Sequence, residues 1–230
     1  NRPRGYLVEY SGAADITFSK SINIGIQSRN DAPKLYVDAY WASVIYTTID
    51  PKLPDISEDL AAASNAGSLV SDLVKVDPAN NTGFSFDSSL GSPEFGKNTI
   101  TDPDGDPRGG IAITALSSGN GSWEYRLKDN ANNWGNWQAM GSISVDQSLL
   151  LRPGDAVRFV PDGKNGTNAT FTYRAWDQSS GAAGQKVSTA VTGGSSAFST
   201  DSNDATVAVS AVNDAPVWMN ASTLTLPSTS

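Results

Sequence analysis

Short alternations of apolar and polar residues, broken by turn clusters, run along most of this chain. Residues 22–26 set Ile22, Ile24 and Ile26 on one face of a strand. Residues 7–10, 16–18, 35–37, 43–47, 111–116, 123–127, 137–140, 156–160, 169–176, 197–200 and 206–212 read the same way. The segments at 123–127 and 137–140 flank an Asp/Asn/Gly-rich stretch from Asp129 to Gly135, the mark of a hairpin with a long loop. Only residues 58–74 carry a helical pattern. Ser57 is placed to cap it, and Leu69, Val70 and Leu73 share a face, but Asn65 and Gly67 interrupt it. One or two short helical turns are expected there. The class is all-β, with a sandwich favoured over a barrel.

One tetrapeptide occurs twice: Asn30-Asp-Ala-Pro33 returns as Asn213-Asp-Ala-Pro216. An alternating segment precedes each copy, Asn23-Ile-Gly-Ile-Gln27 and Thr206-Val-Ala-Val-Ser210. The pair reads as one structural event repeated. A last strand ends, Asn-Asp turns, and Pro stiffens the way into the next domain. On this reading residues 1–31 are the tail of a preceding domain, 32–214 are one whole domain, and 215–230 begin another.

Composition narrows the chemistry. With no Cys and no His, disulfides, imidazole-based triads, thiol nucleophiles and Cys/His zinc sites are excluded. The net charge is −8, and only four of the 24 acidic residues are Glu, the other 20 being Asp. Asp suits turns and also ligates hard cations. No basic stripe favours nucleic acid, and no apolar run is long enough to span a bilayer. No Gly-rich phosphate loop follows a strand. The expectation is a protein that is not an enzyme. Asn-x-Ser/Thr triplets occur at Asn80, Asn120, Asn165, Asn168 and Asn220 and are read as composition. Leu90-Gly-Ser-Pro-Glu-Phe95 reads either as a mid-chain coincidence or as the remnant of a cloning site, in which case residues 91–95 replace native sequence.

Asp102-Pro-Asp-Gly-Asp-Pro107 is the first metal candidate. Asp102, Asp104 and Asp106 alternate, and Gly105 permits a sharp turn, so hard oxygen ligands gather as calcium requires. The other reading is a plain Asp/Gly turn. An EF-hand is rejected, because Pro107 and Gly109-Gly110 follow and no closing Glu is present. Trp123, Tyr125, Trp134 and Trp137 cluster on the expected hairpin. They read either as core or as an exposed platform for a glycan or protein ligand, with core favoured. Arg174 and Asp177 flank Trp176 and read as a structural ion pair beside a core Trp.

Six ordered motifs carry a resemblance: Pro54-Asp-Ile-Ser-Glu-Asp59, Gly109-Gly-Ile-Ala-Ile-Thr-Ala-Leu116, Gly121-Ser-Trp-Glu-Tyr125, Val157-Arg-Phe-Val-Pro-Asp162, Phe171-Thr-Tyr-Arg-Ala-Trp-Asp177 and Ala211-Val-Asn-Asp-Ala-Pro216. In this order they resemble the cadherin-like modules of giant bacterial RTX adhesins exported by type I secretion. Gly5-Tyr-Leu-Val-Glu-Tyr10 resembles the closing strand of a C-type-lectin-like domain. The resemblance implies an Ig/cadherin-like β-sandwich, a secreted cell-surface location, and a part in adhesion and biofilm formation. It implies calcium between domains. Asn30, Asp31, Asn213 and Asp214 match the linker position, and Glu58 with Asp59 match an early acidic pair. The implied role is a spacer that presents neighbouring ligand-binding domains of the same adhesin. The alternatives are a glycan- or protein-binding module using the hairpin from Trp123 to Trp137, and an accessory domain of a secreted polysaccharide hydrolase. The first 31 residues carry a strand without the rest of its sheet, and that strand is expected to pair either with the main domain or with a second copy as a homodimer.

Overall fold

The computed structural model describes residues 6–10, 18–22, 29–41, 44–48, 50–76, 98–105 and 108–216. It forms two units, Asn1–Asn30 and Asp31–Ser230. In the first, β1 (Tyr6–Tyr10) and β2 (Phe18–Ile22) pair antiparallel, Tyr6 opposite Ile22. The expected strand at 22–26 lies outside the described residues beyond Ile22, as do the remnant-like residues 91–95 and Asp106.

The second unit begins with β3 (Lys34–Tyr36), β4 (Asp38–Trp41), β5 (Val44–Thr48), β6 (Ile56–Ser57), β7 (Ser68–Leu69) and β8 (Val74–Val76). Then come β9 (Asn98–Thr101), β10 (Gly110–Ser117), β11 (Gly121–Arg126), β12 (Gln138–Ala139) and β13 (Ser148–Leu151). The last are β14 (Ala156–Pro161), β15 (Thr167–Trp176), β16 (Lys186–Val187) and β17 (Phe198–Ser210). The helical pattern at 58–74 yields two single 3-10 turns, Ala62–Ser64 and Val70–Asp72. Among the described residues no helix is long and apolar enough to cross a membrane. The fold is all-β.

A six-stranded sheet, β16-β13-β10-β15-β17-β6, faces a four-stranded sheet, β12-β11-β14-β7. Alternation explains why they stick together. Ile111 and Ile113, Phe171 and Tyr173, and Ala205 and Val207 point from the first sheet into one core. Trp123 and Tyr125 of β11, with Val157 and Phe159 of β14, meet them from the second. Trp123 packs edge-on against both Phe159 and Phe171, with ring centroids 5.1 and 5.0 Å away. Val70, Leu73, Val74, Ile100 and Leu35 join this core from the turns and from the small sheet β3-β9-β8. A buried polar knot sits among them. Asn98 Oδ1 accepts from the Tyr173 hydroxyl at 2.5 Å and from Asn203 Nδ2 at 3.0 Å. Burial pushes the Tyr173 phenol above its ordinary range, so it stays a neutral donor.

β17 is the axis of the domain. Its 13 residues span about 40 Å at the strand rise of about 3.3 Å per residue. At its start, the Ala32 N–H donates to the Gly194 carbonyl at 2.8 Å. At its finish, β6 runs parallel to it, Val209 opposite Ile56 and Ser210 opposite Ser57. The chain therefore comes into this domain at one end of β17 and leaves it at the other.

Candidate functional sites

Two motifs far apart in sequence meet at the start of β17. Antiparallel pairing sets Lys34 of β3 opposite Thr101 of β9. The residues before β3 and after β9 are thereby side by side. Asp104 Oδ2 accepts from the Asp31 N–H at 2.7 Å, and Asp102 Oδ1 accepts from the Asp104 N–H at 2.8 Å. The Gly105 N–H closes the turn onto the Asp102 carbonyl at 3.0 Å. Gly105 has φ +71°, which a side chain would strain. Asp102 is buried, while Asp31 and Asp104 are exposed. Asn30 immediately precedes Asp31.

The second acidic group lies at the finish of β17. The Glu58 N–H donates to the Ser210 carbonyl at 3.1 Å. Glu58 Oε1 accepts from the Val212 N–H at 2.6 Å, directly before Asn213 and Asp214. Glu58 is only 2 % exposed, and its Oε2 is buried with no hydrogen-bond partner. Asp59, Asn213 and Asp214 around it are exposed. The Asp162 turn reaches the same place, since a Cβ at Gly163 would lie 3.9 Å from the Glu58 carbonyl oxygen. Asp162 Oδ1 accepts from the N–H groups of Lys164 and Asn165. Among the described residues no three Asp or Glu side chains converge as a ready-made metal cage.

The aromatic cluster divides. β11 pairs with β12 as the hairpin pattern requires, Glu124 opposite Ala139 and Tyr125 opposite Gln138. Trp123 and Tyr125 belong to the core at 2 % and 8 % exposure, so they form no part of an exposed platform. Burial also raises the Tyr125 phenol pKa. Trp134 is 38 % exposed. Trp137 is half-buried on the outer face of the four-stranded sheet.

There, Arg126 lies 4.2 Å from the Trp134 ring centroid and 4.4 Å from that of Trp137. Arg158 lies 4.2 Å from Trp137, and Lys128 Nζ 5.1 Å from Trp134. Alternation is the cause: Glu124 and Arg126 take the face opposite Trp123 and Tyr125. The period-two pattern of 123–127 already separates the two pairs, and Arg126, Lys128 and Arg158 are the members that grouping by aromatic type passed over. Gly67 lets the ladder close. It has φ +72°, and a Cβ there would stand 2.5 Å from the Val157 carbonyl oxygen and 2.7 Å from the Trp137 ring.

The two arginines of the ladder differ. Arg158 Nε and Nη2 donate to Glu124 Oε2 at 2.8 and 2.6 Å, and its Nη1 donates to the Ala62 and Asn65 carbonyls. Arg126 donates to the Ala66 carbonyl at 3.2 Å, but its Nε is buried without an acceptor. Burial first, then the Arg158 charge, pull the Arg126 guanidinium pKa down.

Trp176 is a core residue on the other side of the molecule, its Nε1 donating to the Ser180 carbonyl at 2.8 Å. Arg174 beside it donates through Nη1 to the Ser199 and Thr200 carbonyls. Asp155 is fully buried and saturated, accepting from the Lys128 and Arg152 N–H groups and from the Arg152 guanidinium. No protein-family model, curated protein or solved structure matches this chain.

Proposed function

We propose that residues 32–214 act as a spacer in a secreted bacterial surface adhesin, holding neighbouring ligand-binding domains apart for adhesion and biofilm formation. One observation carries this reading: the chain arrives and departs at opposite ends of β17, about 40 Å apart by strand rise. Copies joined through such ends line up end to end, as a string of domains on a cell surface requires. A hairpin-like return of the two termini to one side would argue for an insertion module instead.

Calcium is the proposed stiffener, and the residues fit it at the finishing end. The orphaned Oε2 of Glu58 is a buried carboxylate oxygen that a cation would satisfy. Glu58, Asp59, Asn213 and Asp214 would hold the ion, with further oxygens from the domain that follows. At the starting end Asp31, Asp102 and Asp104 would hold a second ion. Bound calcium supplies positive charge that holds the linker carboxylates in one arrangement.

The test is a calcium titration of the unfolding midpoint. Calcium at one hundred times its Kd adds about 2.7 kcal/mol to the folded state. The midpoint should rise with millimolar calcium and fall back with chelator. Glu58→Gln should remove most of the rise, and Asp104→Asn part of it. A midpoint indifferent to calcium removes the metal from the proposal. Small-angle scattering of the calcium-loaded chain showing a globular rather than elongated particle removes the spacer.

A further inference from the structure

We propose that the outer face of the four-stranded sheet is a binding site for an acidic sugar, whose anionic group docks on Arg126 and Lys128 and whose ring lies against Trp134. The inference is separate from the spacer reading and stands if that reading fails.

The first argument is charge. The molecule carries −8 overall, yet this face gathers Arg126, Lys128 and Arg158 within one ladder. Arg158 is neutralised by Glu124. Neither Arg126 nor Lys128 has a carboxylate partner among the described residues, and Arg126 Nε has no acceptor at all. Two uncompensated cations share one indole. An anion at this surface would meet the Lys128 ammonium and Arg126 Nη1, donors that the fold leaves unused, while the buried Arg126 Nε stays out of its reach, and charge-assisted bonds of this kind are the strong ones.

The second argument is shape and rigidity. Trp134 is 38 % exposed with Arg126 and Lys128 stacked over its ring, so a sugar would take what they leave uncovered. An indole offers the flat apolar surface that the C–H face of a pyranose covers. The adjoining loop is braced by hydrogen bonds. Asp129 Oδ1 accepts from the Ala131 and Asn133 N–H groups at 2.9 and 2.8 Å, and the Asp129 and Asn133 backbones bond each other at 2.9 Å. The exposed amides of Asn130 and Asn132 on this loop can donate to and accept from sugar hydroxyls. A cation pair, an aromatic plane and exposed amides suit a sugar acid better than an acidic peptide, which needs no ring platform.

The experiment is calorimetric titration of the whole chain with four probes: a short galacturonate oligomer, its methyl ester, a sulfated oligosaccharide and pentaglutamate. The galacturonate or the sulfated oligomer should bind, and whichever does identifies the anion as carboxylate or sulfate. The ester should bind at least about tenfold more weakly than galacturonate if the carboxylate is the anion. Lys128→Gln and Trp134→Ala should each weaken binding by about tenfold. Lys128→Gln should leave the unfolding midpoint unchanged. Lys164→Gln, in the Asp162 turn, is the control for general electrostatics and should bind like the parent. Three results overturn the proposal: no heat from either acidic oligomer in the millimolar range, an equal loss in Lys164→Gln, or pentaglutamate binding more tightly than both sugars.

Discussion

The two sheets share one core but treat their outer faces in opposite ways. The six-stranded sheet roofs part of its outer face with apolar groups, leaving Thr172, Arg174 and Asp204 outside the roof. Ala112, Leu150, Trp176, Ala197 and Phe198 form a second dry cluster there, with Val187 packed against it. The four-stranded sheet covers its outer face with alternating indoles and cations, Trp134, Arg126, Trp137 and Arg158. Area and close packing hold the first cover; stacking and hydrogen bonds to charged groups hold the second. The first excludes water. The second keeps charge at the surface, and that is where chemistry remains available.

The largest expected loss is at Trp176. It is 1 % exposed and the largest member of the dry cluster. Trp176→Ala should cost about 3–5 kcal/mol, since the cavity is closed on all sides and Ser180 loses its donor. Urea unfolding measures it. A loss near the size of a surface change would mean that the roof over this sheet collapses into the space and is not a true core.

On the charged face the expected losses are smaller and divide by partner. Arg158→Met should cost about 2–3 kcal/mol, because Glu124 and the Ala62 and Asn65 carbonyls lose their donors together. Arg126→Met should cost about 1 kcal/mol or less. It removes one bond to Ala66 and two ring stacks, but it also relieves repulsion from Arg158 and an orphaned donor. Chemical unfolding of both variants side by side reads the contrast. Equal losses would show that the ladder acts as one unit and that Arg126 is structural rather than poised for a ligand.

How far the sequence reveals this depends on the face. Alternation makes 111–116, 156–160 and 169–176 legible as β10, β14 and β15. It passes over β13, whose Leu149 and Leu151 enter the main core while Leu150 enters the second. Its three consecutive leucines, buried on both sides, carry no polar beat to read. It splits β17 into 197–200 and 206–212, because Asp201 to Asp204 looks like a turn. The polar run stays in the ladder, with Asp204 opposite Thr172 and accepting its hydroxyl at 2.6 Å. The junction acids are legible as types and not as partners. Nothing local in the sequence says that Asp104 reaches Asp31, or that Glu58 reaches Val212, since each contact is made by strand register.

The smallest expected effect tests whether the charged face is held rigid by its loop. Asp129 sits at the base of the loop that carries Trp134 and is fully exposed. The Asn133 backbone N–H chiefly, with its side chain and the Ala131 N–H, holds the Asp129 carboxyl below its ordinary value of 3.8. A depressed folded-state pKa stabilises the folded form above the unfolded value, and that contribution disappears as pH falls through the lower folded value. Asp129→Asn keeps an acceptor for the same N–H groups but carries no charge. The parent should therefore melt slightly above Asp129→Asn at neutral pH, and the gap should close only below pH 3.8. A gap that is constant with pH would mean that neutral hydrogen bonding alone fixes the loop. In that case the rigidity of the Trp134 platform does not depend on ionisation, and any pH dependence of sugar binding below 3.8 would belong to the ligand's own carboxylate.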